Sequence, residues 1–345
     1  MSLTLIATII TGAAILALLV IGKSLLIPFA IAVMAWYVID AIAVHFRRLT
    51  IAGMRPFERF SVVPALLVVI LLLSGVVQMI GDTVEQVSVA APSYEANLSK
   101  IMEHFSTLTG LEVGPSLQHW FSSLNIGRII GSIAGAIMAI AGNAGLVAIY
   151  VAFLLLEERY FSIKLQIMFP DREKRARIEK MLQDIQIQIR HYLYVKTLIS
   201  ALTGIVSYGI LIWVGVDYAA FWALLIFLLN FIPTIGSMIA VLLPTALSLV
   251  QFDTFTPFIT LLVSLGTVQM LIGNVLEPRV MGSSLNLSPL VVILALSLWG
   301  QIWGITGMFL SVPITVISMI ILGSFPATRP LAVAMSENGR LRPVS

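Results

Sequence analysis

A small set of polar side chains interrupts the apolar second half of this chain: Asn230, Thr234, Ser237, Gln269, Asn274, Glu277, Arg279 and Gln301. Burying an amide or an ion in lipid is expensive, so each is a functional candidate by default. Amides and hydroxyls of this kind can hydrogen-bond an uncharged polar solute without needing a charged partner. Glu277 and Arg279 have two readings: coupling or gating within the membrane, or a surface pair at a span terminus worth about 0–1 kcal/mol. Asp40 reads as interfacial, and Lys196 as a side chain that snorkels to the headgroups. Enzyme signatures are missing: there is no Walker lysine loop, no nucleophile elbow and no helical His pair for zinc. The four histidines, His45, His104, His119 and His191, fall in segments expected outside the membrane. The residues therefore argue against an enzyme and call for neither a metal nor a cofactor.

Two interrupted apolar elements must position this set. The first runs from Ala219 to Val250 and is apolar except for the insert Asn230-Phe231-Ile232-Pro233-Thr234-Ile235-Gly236. A single helix of that length would be about 48 Å long, against a hydrocarbon slab of roughly 30 Å. Pro233 lacks a backbone donor and disfavours the helical conformation at Ile232, so a break is expected there. Within lipid, such a break is tolerated only where protein or a water-filled cavity satisfies the freed polar groups. The expectation is two half-helices meeting at a buried polar tip, Asn230 to Ser237. One long, tilted, Pro-kinked span is the competing form. Sliding Pro244 onto Pro313 places Asn230 beside Trp299 and lays the insert over Gly300-Gln301-Ile302-Trp303-Gly304-Ile305-Thr306-Gly307. Paired interruptions in two segments point to the site of a secondary transporter, because half-helix ends and unwound backbone supply its ligands. Chance similarity between two apolar stretches remains the other explanation.

Composition sets the class. Of the 345 residues, 59% are hydrophobic and 11% charged, with mean hydropathy +1.02, whereas a soluble domain carries roughly 25% charged residues. This is the composition of an integral membrane protein. A net charge of +3 excludes an electrostatic nucleic-acid binder. With no cysteine, thiolate metal sites and disulfides are excluded. The apolar run Leu3 to Ile21 is long enough to span and lacks a basic n-region, so it reads as a retained helix.

The fold class expected is all-α: a polytopic membrane protein of about eight hydrophobic segments, two of them broken or re-entrant helical hairpins, plus a short helical extramembrane segment. Residues 1–81 hold spans one to three. Arg47, Arg48, Arg55 and Arg59 between the second and third place that loop in the cytoplasm. Residues 82–125 form a periplasmic helical segment, with an apolar seam through Val84, Val87, Ala91, Tyr94, Leu98, Ile101, Phe105 and Leu108. Residues 126–156 form span four. Its stripe Gly127, Gly131 and Gly135 lets helix backbones approach closely, either within the chain or between subunits. Residues 157–196 form a basic, cytoplasmic amphipathic helix with Asp171 as N-cap. Residues 197–325 form a transport core containing the broken elements 219–250 and 290–322. Residues 326–345 are a basic cytoplasmic tail, which places both termini inside.

The motifs Asn230 to Gly236, Asn274-Val275-Leu276-Glu277-Pro278-Arg279-Val280-Met281-Gly282, and Pro289 to Pro313 with Trp299-Gly300, Gly304 and Gly307-Met308 resemble the signature of the autoinducer-2 exporter family. The resemblance covers nearly the whole chain. It implies a bacterial inner-membrane homo-oligomer, a pentamer among the assemblies it allows, that moves solute by an elevator-like displacement of its hairpin-bearing part. It also implies that Asn230, Pro233, Gly236, Asn274, Glu277, Pro278 and Gly282 lie at or near the transport pathway. Thr234 stands where many relatives carry a larger residue. Thr234, Ser237, Gln301 and Gly304 join the pathway set through their place at the breaks, while Pro244, Pro278, Arg279, Gly282 and Pro313 are assigned gating or structural roles. The partners expected are a small polar solute, membrane lipid and further copies of the chain, with no nucleic acid.

Three functions compete. The leading one is export of a small polar solute, autoinducer-2 or similar. The second is cation/proton antiport through Glu277 and Arg279, against which the scarcity of acidic groups at mid-membrane argues. The third is a non-transporting scaffold that uses the glycine stripe and the outer helices.

Overall fold

The computed structural model describes residues 3–48, 67–71, 74–83, 85–87, 89–90, 142–282 and 285–341, with isolated positions 64, 97, 131, 135 and 138. Most of the extramembrane segment 82–125, together with Gly127, Arg55 and Arg59, lies outside these residues. The helices are α1 (Leu3–Ile21), α2 (Lys23–Arg48), α3 (Ala144–Met168), α4 (Arg172–Val214), α5 (Ala219–Leu229), α6 (Ile235–Gln251), α7 (Thr256–Leu271), α8 (Glu277–Met281), α9 (Pro289–Ser324) and α10 (Arg329–Met335). A π-helical turn, Ile272–Leu276, joins α7 to α8. Among the described residues there is no strand, and the one isolated bridge pairs Leu287 with Ser336. Among the described residues, four helices are long and apolar enough to cross a membrane: Leu67–Val87, Arg172–Val214, Thr256–Met281 and Pro289–Ser324. The pair Ile10–Ile21 and Lys23–Ile39, bent by 83° at Gly22, passes the same test when taken together. The chain is therefore an all-α polytopic membrane protein.

Two boundaries differ from expectation. The helix of span four, α3, runs past residue 156 to Met168, and the amphipathic helix and span five are a single helix, α4, of 43 residues. Asp171 caps it, its carboxylate accepting from the Glu173 and Lys174 amides at 3.0 and 3.5 Å. Nothing between Tyr192 and Ser200 breaks a helix, so the charged first half runs directly into the apolar second half.

Contacts group the chain into two units: residues 1–67, 143–195 and 281–345, and residues 68–142 and 196–280. In the first, α2 packs along α3, where Phe29 and Tyr150 meet edge to face with ring centroids 5.6 Å apart. The core there includes Ile189, Tyr192, Leu310, Val316 and Met319. In the second, the core is built from Leu211, Phe221, Trp222, Ala240, Leu247 and Leu265. Each unit holds one of the two broken elements.

Both elements fold back on themselves. In α5–α6, the Gln251 side chain donates to the Gly215 carbonyl at 2.7 Å and accepts from the Asp217 amide at 2.9 Å. The end of α6 therefore lies beside the start of α5, which is the geometry of a re-entrant hairpin; a kinked span would leave those ends far apart. In α9, Gly304 adopts φ +64° and ψ −144°, a region that side-chain-bearing residues rarely enter. Asn286, just before α9, donates to the Arg340 carbonyl at 2.7 Å. The next residue, Leu341, reaches the other end of α9: a Cβ on Gly323 would stand 3.4 Å from its side chain. A straight helix of 36 residues would hold those ends about 54 Å apart, so α9 is also a hairpin, turning at Gly304.

Candidate functional site

The tip of the α5–α6 hairpin is made by one proline and one strained residue. After Leu229 the chain tightens, with the Phe231 and Ile232 amides bonding to the carbonyls of Leu228 and Leu229. Pro233 then offers no donor, and the Ile235 amide bonds back to the Pro233 carbonyl at 2.6 Å. Thr234, between them, has φ +59° and ψ −63°. This is the rarer, strained hand of γ-turn, and strain of this kind concentrates at functional sites. Gly236 must lack a side chain, because a Cβ there would stand 2.0 Å from the Leu229 carbonyl oxygen. Ser237 donates to the Thr234 carbonyl at 2.9 Å and helps to hold the turn.

Beneath this tip Asn230 is 3% exposed, and its amide is satisfied on both sides. Its Nδ2 donates to Ser200 Oγ on α4 at 3.0 Å, and its Oδ1 accepts a longer 3.4 Å bond from Gln269 Nε2 on α7. Gly273 makes room for Gln269, since a Cβ there would stand 2.6 Å from that same nitrogen. Three elements of one unit thus converge on one amide. A second polar contact joins the same two long elements: Lys196 on α4 donates to Glu277 at the start of α8 at 2.5 Å. Their side chains are 5% and 19% exposed. Glu277 is carried there by the π turn, whose wider winding lets the Glu277 amide bond to the Ile272 carbonyl.

Two expectations are corrected at this site. Lys196 does not snorkel, because a carboxylate lies within its reach and the ammonium is neutralised in place. Glu277 pairs with Lys196, while Arg279 is exposed two residues on. Asn274 and Pro278 are also exposed. Pro244 is buried within α6. Gln301, Gly304, Gly282 and Pro313 belong to the other unit. There Gly304 is the pivot of the second hairpin, Gln301 and Gly282 are exposed, and Pro313 is buried within α9. At this second tip the residue that must lack a side chain is Gly307, where a Cβ would stand 1.9 Å from the Trp299 carbonyl oxygen. Leu229 and Gly236 at the first tip thus correspond to Trp299 and Gly307, one and two positions away from the proline-based alignment, and the second turn is one residue longer.

Sequence reasoning passed over Ser200. The signal was present: Lys196, Ser200, Thr203 and Ser207 recur at steps of four, three and four, one face of a helix, and all four are buried. Most buried hydroxyls elsewhere bond only their own helix, as Thr245 does to Val241 and Thr315 to Ser311. Ser200 reaches another element. At the open end of the same hairpin lies a cavity of about 470 Å³ lined by Gln78, Asp82, Gln86, Tyr208 and Tyr218 among others. It is separate from the Asn230 cluster. Among the described residues no cluster of His, Asp or Glu could hold a metal ion.

The arrangement offers uncharged donors and acceptors and one internally neutralised charge pair. Such a site suits a neutral, hydroxylated solute. The sequence model of a family described as AI-2E family transporter matches residues 5–327. Among individual proteins, the AI-2 transport protein TqsA of Escherichia coli K12 is 29% identical over 321 residues, covering 92% of this chain and 90% of that protein. A protein of Borreliella burgdorferi named only as a candidate transport protein is 34% identical over 259 residues, 74% of this chain and 70% of its own. One of the same description from Haemophilus influenzae is 31% identical over 275 residues, 76% and 77% of the two chains.

Proposed function

The chain belongs to the AI-2E transporter family, and from that premise we propose that it is a secondary transporter exporting a small polar solute, autoinducer-2 or one of similar chemistry. The observation that carries this reading is Asn230, a buried amide held between Ser200 and Gln269 under a strained hairpin tip. A hydroxyl of the solute can replace either partner, so the cluster offers it both a donor and an acceptor. The name of the Escherichia coli relative supplies the solute class. Alternating access is assigned to an elevator-like movement of the hairpin-bearing part, in a homo-oligomer of the bacterial inner membrane with both termini in the cytoplasm. The basic first half of α4 supports that orientation.

Efflux of labelled autoinducer-2 from proteoliposomes tests the reading. Asn230→Ala is expected to slow efflux about tenfold, the equivalent of one net hydrogen bond. An unchanged rate in the combined Asn230→Ala, Glu277→Ala protein overturns the site assignment.

The buried Lys196–Glu277 pair favours a second reading, exchange of a cation for protons. It requires a sodium-stimulated proton flux in wild-type vesicles that disappears in Glu277→Gln.

A further inference from the structure

Lys196 and Glu277 are paired with each other, and the pair sits beside the groups that would hydrogen-bond a neutral solute. Ser200, the partner of Asn230, is one helical turn beyond Lys196 on α4; Gln269, the other partner, is about two turns before Glu277 on the α7–α8 rod. The ion pair and the amide cluster therefore bridge the same two elements. A carboxylate withdrawn from water must be neutralised by a proton, by a bound cation or by a fixed positive side chain. Here the third option is built in. The Lys196 ammonium donates directly to Glu277 Oε1, with the two side chains 5% and 19% exposed. The π turn Ile272–Leu276 sets Glu277 at the angle that makes the contact.

We propose that Lys196 is a tethered cation: its ammonium occupies the place at Glu277 that a proton or an alkali cation would otherwise fill, so that solute export runs without a coupling ion. This rests on the export reading, under which a solute made inside the cell leaves down its own gradient. Under the exchange reading, wild-type protein would itself respond to sodium. The other groups around the pair leave the role to Lys196. The hairpin tip and α7 present the amides of Asn230 and Gln269, and α4 presents the Ser200 hydroxyl. Arg279, on the same short helix as Glu277, is exposed, as is His191, five residues before Lys196.

The test compares full-length wild type with Lys196→Met and with Lys196→Met, Glu277→Gln. Lys196→Gln, which keeps a donor to Glu277 without the charge, serves if the methionine variant does not fold. Thermal midpoints in detergent are read in sodium chloride against choline chloride at equal ionic strength, and again across a pH step at fixed sodium. The single variant is expected to be stabilised by sodium or by acid, and these two arms tell an alkali cation from a proton. Wild type and the double variant are expected to respond to neither. In vesicles, efflux by the single variant should rise about tenfold on adding the cation that stabilises it, while wild-type efflux stays constant. A wild type that responds as the variant does overturns the proposal, and so does a variant that responds to neither arm. The thermal readout needs no solute, so failure of wild-type export would overturn the export reading while the tethered-cation result stands or falls separately.

Discussion

At the scale of single residues, the two hairpin tips depend on positions where a side chain cannot be placed. A Cβ on Gly236 would collide with the Leu229 carbonyl and stand 2.7 Å from the Ile232 Cβ. Both obstacles are on or next to the backbone and cannot swing aside as a flexible side chain would. Gly236→Ala is therefore expected to lower the thermal midpoint in detergent by the equivalent of about 1–3 kcal/mol. Gly209, in the interior of α4, has nothing within 4 Å of its notional Cβ. Gly209→Ala should raise the midpoint by up to about 1 kcal/mol, since alanine is the better helix former. Equal effects from the two substitutions would mean that the tip is not close-packed. Thr234 carries the complementary feature: a β-branched residue held at positive φ, which costs on the order of 1–3 kcal/mol and persists only because the turn around it is over-determined.

At the scale of elements, the π turn decides where Glu277 points. In an α-helix the amide that bonds the Ile272 carbonyl would belong to Leu276, four residues on; in the π turn it belongs to Glu277, five residues on, so the turn moves Glu277 into the place Leu276 would hold. Removing the charge of Glu277 tests the pair itself. Glu277→Gln leaves a lone buried ammonium, at a cost of about 3–5 kcal/mol. The expected outcome is a large drop in thermal midpoint that Lys196→Met, added to it, largely restores. A Glu277→Gln protein as stable as wild type would show that the pair is not held out of water. The half-helices obey a simpler rule. At 11 and 17 residues, α5 and α6 are about 17 and 26 Å long, so neither crosses roughly 30 Å of hydrocarbon alone, and they form a stable unit by packing on each other and on α4. Gly204 permits that approach, because a Cβ there would stand 3.1 Å from the Ala223 carbonyl oxygen.

At the scale of the whole molecule, the exposed surface is apolar to a degree that only lipid or another subunit can cover. Ile21, Leu71, Ile205, Trp213, Met270 and Leu290 are each more than half exposed. The homo-oligomer proposed above is checked by native mass measurement in detergent, which should give a multiple of 37.6 kDa. A wild-type mass of one chain would remove it.

Composition by itself settled the membrane class, because 11% charged residues leave too little polar surface for a soluble fold. The breaks were also legible. Pro233 removes a backbone donor and the Gly-rich stretch Gly300 to Gly307 weakens a helix, local properties that need no neighbours; that the second turn pivots at Gly304 came from the structure. Local chemistry could not say whether a broken element crosses or returns, since a kinked span and a hairpin share the same residues. Contacts far apart in sequence decided it: Gln251 on Gly215 and Asp217, and Arg340 and Leu341 on opposite ends of α9. The same holds for charge. Glu277 has Arg279 beside it in sequence, but its partner is Lys196, 81 residues away. Only packing α4 against the α7–α8 rod brings ammonium and carboxylate together, because a buried charge takes whichever counter-charge the fold delivers out of water.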